Sequence, residues 1–344
     1  MHKTINQNCF DFLRFFFCVH IALSHLAELS QAQKLAFILD YANSSLGVCG
    51  FFVISGFLVA KSYTSTPSLK KYFIKRAKRI LPAYFFMVLF AAIILSVFSS
   101  LSIGGYFSDT DLFKYIGWNL VFMNFVQPCL PGLFENNLLC AVNGSLWTLK
   151  VEEGFYLILP IIFYFIQKTK KAHALLLTLY LFSILYWFVM DSWFNLPVLA
   201  KQLPGYLAYF SVGIGLFLNL GIVLQNKTKL FLIAVFGIAI DHYANFQVQF
   251  LYPAAFGIVV ILAAYSLPFL NNFGKYGDFT YGVYIVHFPL IQLFRQYDLF
   301  EKYNPFWMAF YILVLSIAFA IFSWFGIEKR FLDRYKTANQ QLAT

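Results

Sequence analysis

Charge is scarce in this chain: Asp, Glu, Lys and Arg together make up 12% of its 344 residues, while 60% are hydrophobic. A soluble domain carries about 25% charged and 45–50% apolar residues. Water is thereby excluded as the main solvent, and length-based counts of soluble domains do not apply. Cysteine is sparse as well. Five cysteines without a CxxC spacing exclude a disulfide scaffold, and neither structural zinc nor any other metal is expected. A cleavable leader is not expected, because the first apolar run lacks a small-residue cleavage site and holds Arg14 and His25. No internal repeat, low-complexity stretch or appended soluble domain is expected either. One membrane domain over 1–336 and a short polar tail over 337–344 are expected.

What the chain does have is long apolar runs. A spanning helix needs roughly 20 mostly apolar residues, and eleven apolar segments occur, near 10–29, 44–60, 80–98, 115–126, 146–166, 174–193, 203–224, 230–243, 250–268, 279–297 and 306–327. Their connections set the topology. The segment 61–79 holds Lys61, Lys70, Lys71, Lys75, Arg76, Lys78 and Arg79, and belongs in the cytoplasm by the positive-inside rule. Lys168, Lys170 and Lys171 belong there as well, as do Lys227, Lys229 and the group Lys329, Arg330, Arg334 and Lys336. An even number of crossings must separate 61–79 from 167–173, yet three apolar segments lie between. The weakest is 115–126, short and interrupted by Gly117 and Asn119, and it reads as interfacial or re-entrant. The expected fold is therefore an all-α polytopic membrane bundle of about ten transmembrane helices with both termini cytoplasmic. Basic loops on one side account for the formal charge of +10 without nucleic acid.

Ionisable side chains inside spans are expensive and are candidate functional residues by default. In the first span, Arg14 and His25 stand eleven positions apart, almost three whole turns, so they share a face about 16 Å apart. His20 falls on another face and reads as structural. Arg76 and Arg79, at i and i+3, present two guanidinium forks where the third span meets the cytoplasm, a geometry suited to phosphate. In NGSLWTLKVEEGFYLILP, Glu152 and Glu153 are about 100° apart on their helix. One is expected to point into the bundle, where it would orient the His25 imidazole as a general base. The other would face the interface or the loop 127–145. His287, with Tyr281 and Tyr284, lies mid-span in DFTYGVYIVHFPL and reads either as functional or as a satisfied core residue. GVCGFFVISGFLVAKSY is a glycine-bearing helix suited to close packing; its Ser55 lacks the G-x-S-x-G surroundings of an activated nucleophile. The many Phe residues read as lipid-facing bulk. Cys129 and Cys140 fall in an outer loop, where disulfides are permitted, and are predicted to pair. The sequons at Asn43 and Asn143 carry no weight.

These pieces together resemble the membrane acyltransferase 3 family. FDFLRFFFCVHIALSH resembles its first-helix pattern, with Arg14 and His25 at the Arg-x10-His spacing. GVCGFFVISGFLVAKS resembles the second-helix stretch, RAKRILPAY the Arg-x-x-Arg motif, NGSLWTLKVEEGFY the segment with paired glutamates, and DFTYGVYIVHFPL the late Tyr-x-x-His-x-Pro motif. Two departures stand out: no glycine follows Asp11, and Trp147 precedes Thr148 rather than Ser.

The resemblance implies an O-acetyltransferase that takes acetyl-CoA from the cytoplasm and modifies a sugar hydroxyl of a surface glycan or its lipid-linked precursor. It would work in a cell membrane, as a multi-pass bacterial cytoplasmic-membrane protein surrounded by lipid and in company with glycan assembly proteins. It also implies the roles. Arg76 and Arg79 would hold CoA phosphates, with Arg14 further along the path. His25 would act as general base or briefly carry the acetyl group, with Glu152 or Glu153 fixing its tautomer. Asp11, Trp147, Tyr281, Tyr284 and His287 are further candidate site residues. Two other readings remain open: a transporter or flippase, which also buries Arg, His and Glu, and a non-catalytic component of a glycan assembly system.

Overall fold

The computed structural model describes residues 7–66, 68–243 and 250–332. Among these the chain is helical, with a lone bridge between Cys129 and Ala141 in place of any strand. The expected tail, with Arg334 and Lys336, lies outside the described residues. The principal helices are α1 (Phe10–Ser30), α2 (Ser44–Thr64), α3 (Leu69–Ile94), α4 (Thr110–Leu120), α5 (Trp147–Thr169), α6 (Ala172–Phe188), α7 (Leu203–Leu218), α8 (Lys227–Tyr243), α9 (Tyr252–Ser266), α10 (Thr280–Gln296) and α11 (Pro305–Ser323).

Five of these are long and apolar enough to cross a membrane: α1, α2, α3 with its 3₁₀ extension, α6 with its π-helical end, and α11 with the turns that follow it. A sixth candidate is α9 with the short turns after it, bent by 73°. The others fall short for physical reasons. α5 has 23 residues but carries Lys150, Glu152, Glu153 and Lys168, and α8 and α10, with 17 residues each, sit at the lower length limit for a crossing. The weak apolar run 115–126 resolves into the end of the 11-residue α4 followed by turns. Such a helix rises about 16 Å, half the ~30 Å hydrocarbon core, and cannot cross alone. The basic segment before the third span is itself helical from Leu69, so Arg76 and Arg79 ride on α3.

The chain forms two compact units. The first holds the described residues of 7–17, 45–72 and 151–276. Its glycines do what the second-span pattern predicts: a Cβ on Gly56 would stand 2.2 Å from the Phe210 carbonyl oxygen, and one on Gly213 would stand 2.2 Å from that of Val53. α2 and α7 thus meet backbone to backbone, where only glycine fits. Phe155 and Phe210 stack at 4.2 Å and, like Phe57, are fully buried, so a share of the phenylalanines builds the interior rather than facing lipid.

The second unit holds the described residues of 18–44, 73–150 and 277–332. α10 packs along α11, and Leu26, Leu29, Phe288, Ile291, Met308 and Ile312 close its apolar core. A disulfide joins Cys129 and Cys140, as predicted. That loop is strapped to α10 by Gln292, fully buried, whose amide donates to the carbonyls of Leu139 and Ala141.

Prolines inside α5 and α10 each leave a carbonyl one turn back without its helical donor. A side chain from elsewhere supplies both. Tyr72 donates to the Tyr156 carbonyl, four residues before Pro160, at 3.0 Å. Asn143 donates to the Ile285 carbonyl, four residues before Pro289, at 2.7 Å. In hydrocarbon an unmet carbonyl costs several kcal/mol, so each donor fixes a neighbouring segment to the break.

Candidate active site

The second unit gathers the most chemistry. Around the start of α5, Asn143 accepts from the backbone N–H of Ser145 at 3.2 Å while its amide reaches α10. The Tyr284 hydroxyl donates to the Ser145 carbonyl at 2.9 Å and lies 2.5 Å from the Thr148 hydroxyl. The NGSLWT and YGVYIVHFP motifs, far apart in sequence, therefore meet side by side. Asn143 is buried and fully engaged, which removes it as a glycan acceptor. A Cβ on Gly144 would stand 2.7 Å from the Phe288 ring, and Phe288 meets the His25 ring edge-on at 5.5 Å between centroids.

Next to this junction stand two imidazoles. His25 Nδ1 is 2.9 Å from His287 Nε2, and the rings are inclined by only 9° with centroids 5.3 Å apart. That separation is about the N···N distance plus a ring radius at each end, so the N···N line lies nearly in both ring planes, where nitrogen lone pairs point. The other nitrogen of His287, Nδ1, is 3.1 Å from the Val283 carbonyl oxygen, and His287 is 1% exposed. The partner the sequence assigned to a glutamate is, at Nδ1 of His25, a second histidine. His20 plays the structural part expected of it: its Nε2 accepts from the Asn43 backbone N–H at 3.1 Å.

Arg79 pairs with Asp278 at 2.5 Å, and Asp278 is 4% exposed. The other carboxylate oxygen of Asp278 accepts from the Thr280 N–H at the start of α10. Asp278 thus holds the first N–H of the helix that carries His287 and neutralises Arg79. Any phosphate Arg79 holds shares it with this carboxylate. Arg76, half-buried one turn earlier on α3, completes the basic pair. Tyr281 donates to the Ile80 carbonyl at 3.3 Å, tying α10 to the same stretch of α3. Trp147 is half-buried as the first residue of α5.

The remaining candidates lie in the first unit. Arg14 is 3.7 Å from Asp11, one turn earlier on α1, and Asp11 packs so close to Gly274 that a Cβ there would collide with its carboxylate. Glu152 accepts from the Tyr156 hydroxyl on the next turn of α5. Glu153 is half-buried beside it. Ser55 is buried and its hydroxyl makes no hydrogen bond, so no base activates it.

Five helices long and apolar enough to cross a membrane, with the Arg79–Asp278 pair and two facing imidazoles buried among the helices of the second unit, define a multi-pass membrane protein that carries ionisable groups inside it. Sequence comparison gives the class its family. Over residues 7–325 the sequence matches the acyltransferase domain of the acyltransferase 3 type, and the chain belongs to this family. It is 29% identical to the O-acetyl transferase of Shigella phage Sf6, covering 97% of this chain and 98% of that protein. It is 28% identical to nodulation protein 10 of Rhizobium leguminosarum bv. viciae, covering 95% and 94%. The peptidoglycan O-acetyltransferase OatA of Listeria monocytogenes is 24% identical over 79% of this chain, which spans only 49% of that longer protein. No solved structure matches. The chain is an enzyme of O-acyl transfer, with O-acetyltransferases among its relatives.

Proposed function

We propose that the protein transfers an acetyl group from cytoplasmic acetyl-CoA to a sugar hydroxyl of a cell-surface polysaccharide or its lipid-linked precursor, in the cytoplasmic membrane of a bacterial cell. In this reading ten helices cross and both termini lie inside, so that Arg76 and Arg79 face the compartment that supplies CoA. The observation that carries the reading is the His25 imidazole, held within an apolar helix by a second imidazole 2.9 Å away, in a chain of the acyltransferase 3 family.

The chemistry follows from what an imidazole can do. His25 removes the proton of the acceptor hydroxyl as that oxygen attacks the thioester carbonyl carbon. The tetrahedral intermediate collapses, the C–S bond breaks, and the CoA thiolate takes the proton back from the imidazolium. The products are the acetyl ester and free CoA, and His25 returns to its starting form. A positioned base contributes about 10²–10⁴-fold to such a step, and holding the two substrates together contributes more. The guanidinium groups of Arg76 and Arg79, with Arg14 along the path, provide bidentate donors for CoA phosphates. Glu152 and Glu153 are proposed as carboxylates that balance charge during transfer. Glycan partners are proposed from the relatives' peptidoglycan and O-acetyl activities.

The test is the O-acetyl content of the surface glycan, read by NMR in cells carrying the wild type, no gene, or His25→Ala. The acetyl resonances are expected with the wild type alone. Normal acetylation by a stably inserted His25→Ala protein defeats the reading.

A further inference from the structure

Hydrogen-bond direction across the histidine pair can be read from one end. A carbonyl oxygen only accepts, so the His287 nitrogen facing the Val283 carbonyl at 3.1 Å, Nδ1, carries a proton. In an uncharged ring the other nitrogen, Nε2, then has none and must accept. The group opposite it is His25 Nδ1 at 2.9 Å, which must therefore donate. An uncharged His25 has only one N–H, so its Nε2 is left as a bare lone pair. The backbone of α10 thus sets the tautomer of a ring on α1 through one intervening imidazole.

We infer that His287 is a positioning residue, which fixes His25 in the Nδ1–H tautomer and leaves His25 Nε2 as the atom that takes the acceptor's proton. This rests on the general-base reading of His25 and deepens it. When Nε2 becomes protonated, the imidazolium keeps its Nδ1–H bond to His287, whose own N–H remains on Val283. Charge spreads along the pair with no proton moved beyond His25. The same contact holds the ring's orientation, since the N–H···N line lies nearly in both ring planes. α10 is itself fixed at this level, because Asn143 meets the carbonyl that Pro289 exposes. The bond from His287 to Val283 lies within α10, so the tautomer signal starts from a braced helix.

A serine-protease triad whose base is forced into the wrong tautomer loses about 10⁴-fold in kcat, which sets the scale. The experiment uses the full chain in lipid nanodiscs with acetyl-CoA and water as the acceptor, reading kcat for release of CoA and acetate, acetyl-CoA KM and binding separately for three variants. Glutamine places an amide oxygen where His287 Nε2 stands, whereas asparagine reproduces only the Nδ1 side. His287→Gln is expected to stay within about tenfold of wild-type kcat. His287→Asn and His287→Ala are expected to fall by at least about 100-fold, with acetyl-CoA affinity unchanged in all three. A wild-type kcat in His287→Ala, or equal losses in Gln and Ala, overturns the inference. Should the variants fail to fold, ¹⁵N-histidine NMR of the wild type decides: His25 is expected to show a protonated Nδ1 and a bare Nε2, and the reverse pattern overturns it. His25→Ala is run alongside. Full activity there sinks the general-base reading, while the ¹⁵N spectrum still reports whether His287 controls the tautomer.

Discussion

Arg79, proposed above as a phosphate ligand, also anchors the start of α10 through Asp278. Removing the guanidinium takes a short ion-pair contact from a carboxylate that is 4% exposed, and breaking a buried pair on one side costs up to about 3–5 kcal/mol. Arg79→Ala is therefore expected to lower thermal stability in detergent well beyond Arg76→Ala, and Asp278→Asn added to Arg79→Ala should recover much of the loss. Equal melting temperatures for the two single variants contradict the anchoring role. For Arg76→Ala, one lost charge-assisted contact is worth about 1.5–3 kcal/mol, so a roughly tenfold or greater loss of acetyl-CoA affinity is expected by calorimetry. Unchanged binding there removes Arg76 from the phosphate site. The arginine pair was legible because two guanidiniums one turn apart form a local pattern. Asp278 was not, since a lone carboxylate 199 residues away leaves no spacing to read. His287 was visible only as a mid-span histidine; its partner, 262 positions away, emerges from the fold.

Among the helices, α10 depends on a donor outside itself. Asn143→Ala leaves the Ile285 carbonyl unmet in apolar surroundings, a loss of about 1–3 kcal/mol. Pro289→Ala restores a helical N–H to that carbonyl, so the Asn143→Ala penalty should shrink in its background. A double-mutant cycle by thermal unfolding measures this, and a coupling energy near zero refutes the bracing account. The α2–α7 crossing is similarly strict. Gly56→Ala or Gly213→Ala pushes a methyl group into a facing backbone carbonyl, and each should cut the yield of folded protein more than Gly221→Ala, whose added methyl meets nothing within 4 Å. The GVCGFFVISGF pattern revealed this close packing from sequence, because only small residues let backbones approach. The Asn143 role could have been suspected from a mid-span His-x-Pro, which announces an unpaired carbonyl, but the identity of the donor depends on which loop folds back. Interior phenylalanines such as Phe155 and Phe210 escaped notice because hydrophobicity does not separate lipid-facing from core positions in a bilayer.

For the molecule as a whole, composition and basic loops were enough to give the solvent, the helical class and the non-crossing character of the 115–126 run. Charge in α5 and the 17-residue lengths of α8 and α10 blur the individual crossings. The loop 127–145 adds a covalent constraint: Cys129 and Cys140 close a loop with a sequence separation of 11, for which chain-entropy arguments give about 3 kcal/mol. Replacing both cysteines with serine should lower the melting temperature of the oxidised protein and abolish its response to reductant. The central claim is that an imidazole within the first span handles an activated acetyl group. Its most direct test is to incubate purified protein in nanodiscs with acetyl-CoA labelled in the acetyl group and follow release of CoA and labelled acetate, with water standing in for the sugar hydroxyl as the acceptor. Wild type is expected to consume the thioester and His25→Ala to do so at least about 100-fold more slowly while still binding CoA; equal consumption by the two proteins would contradict the account.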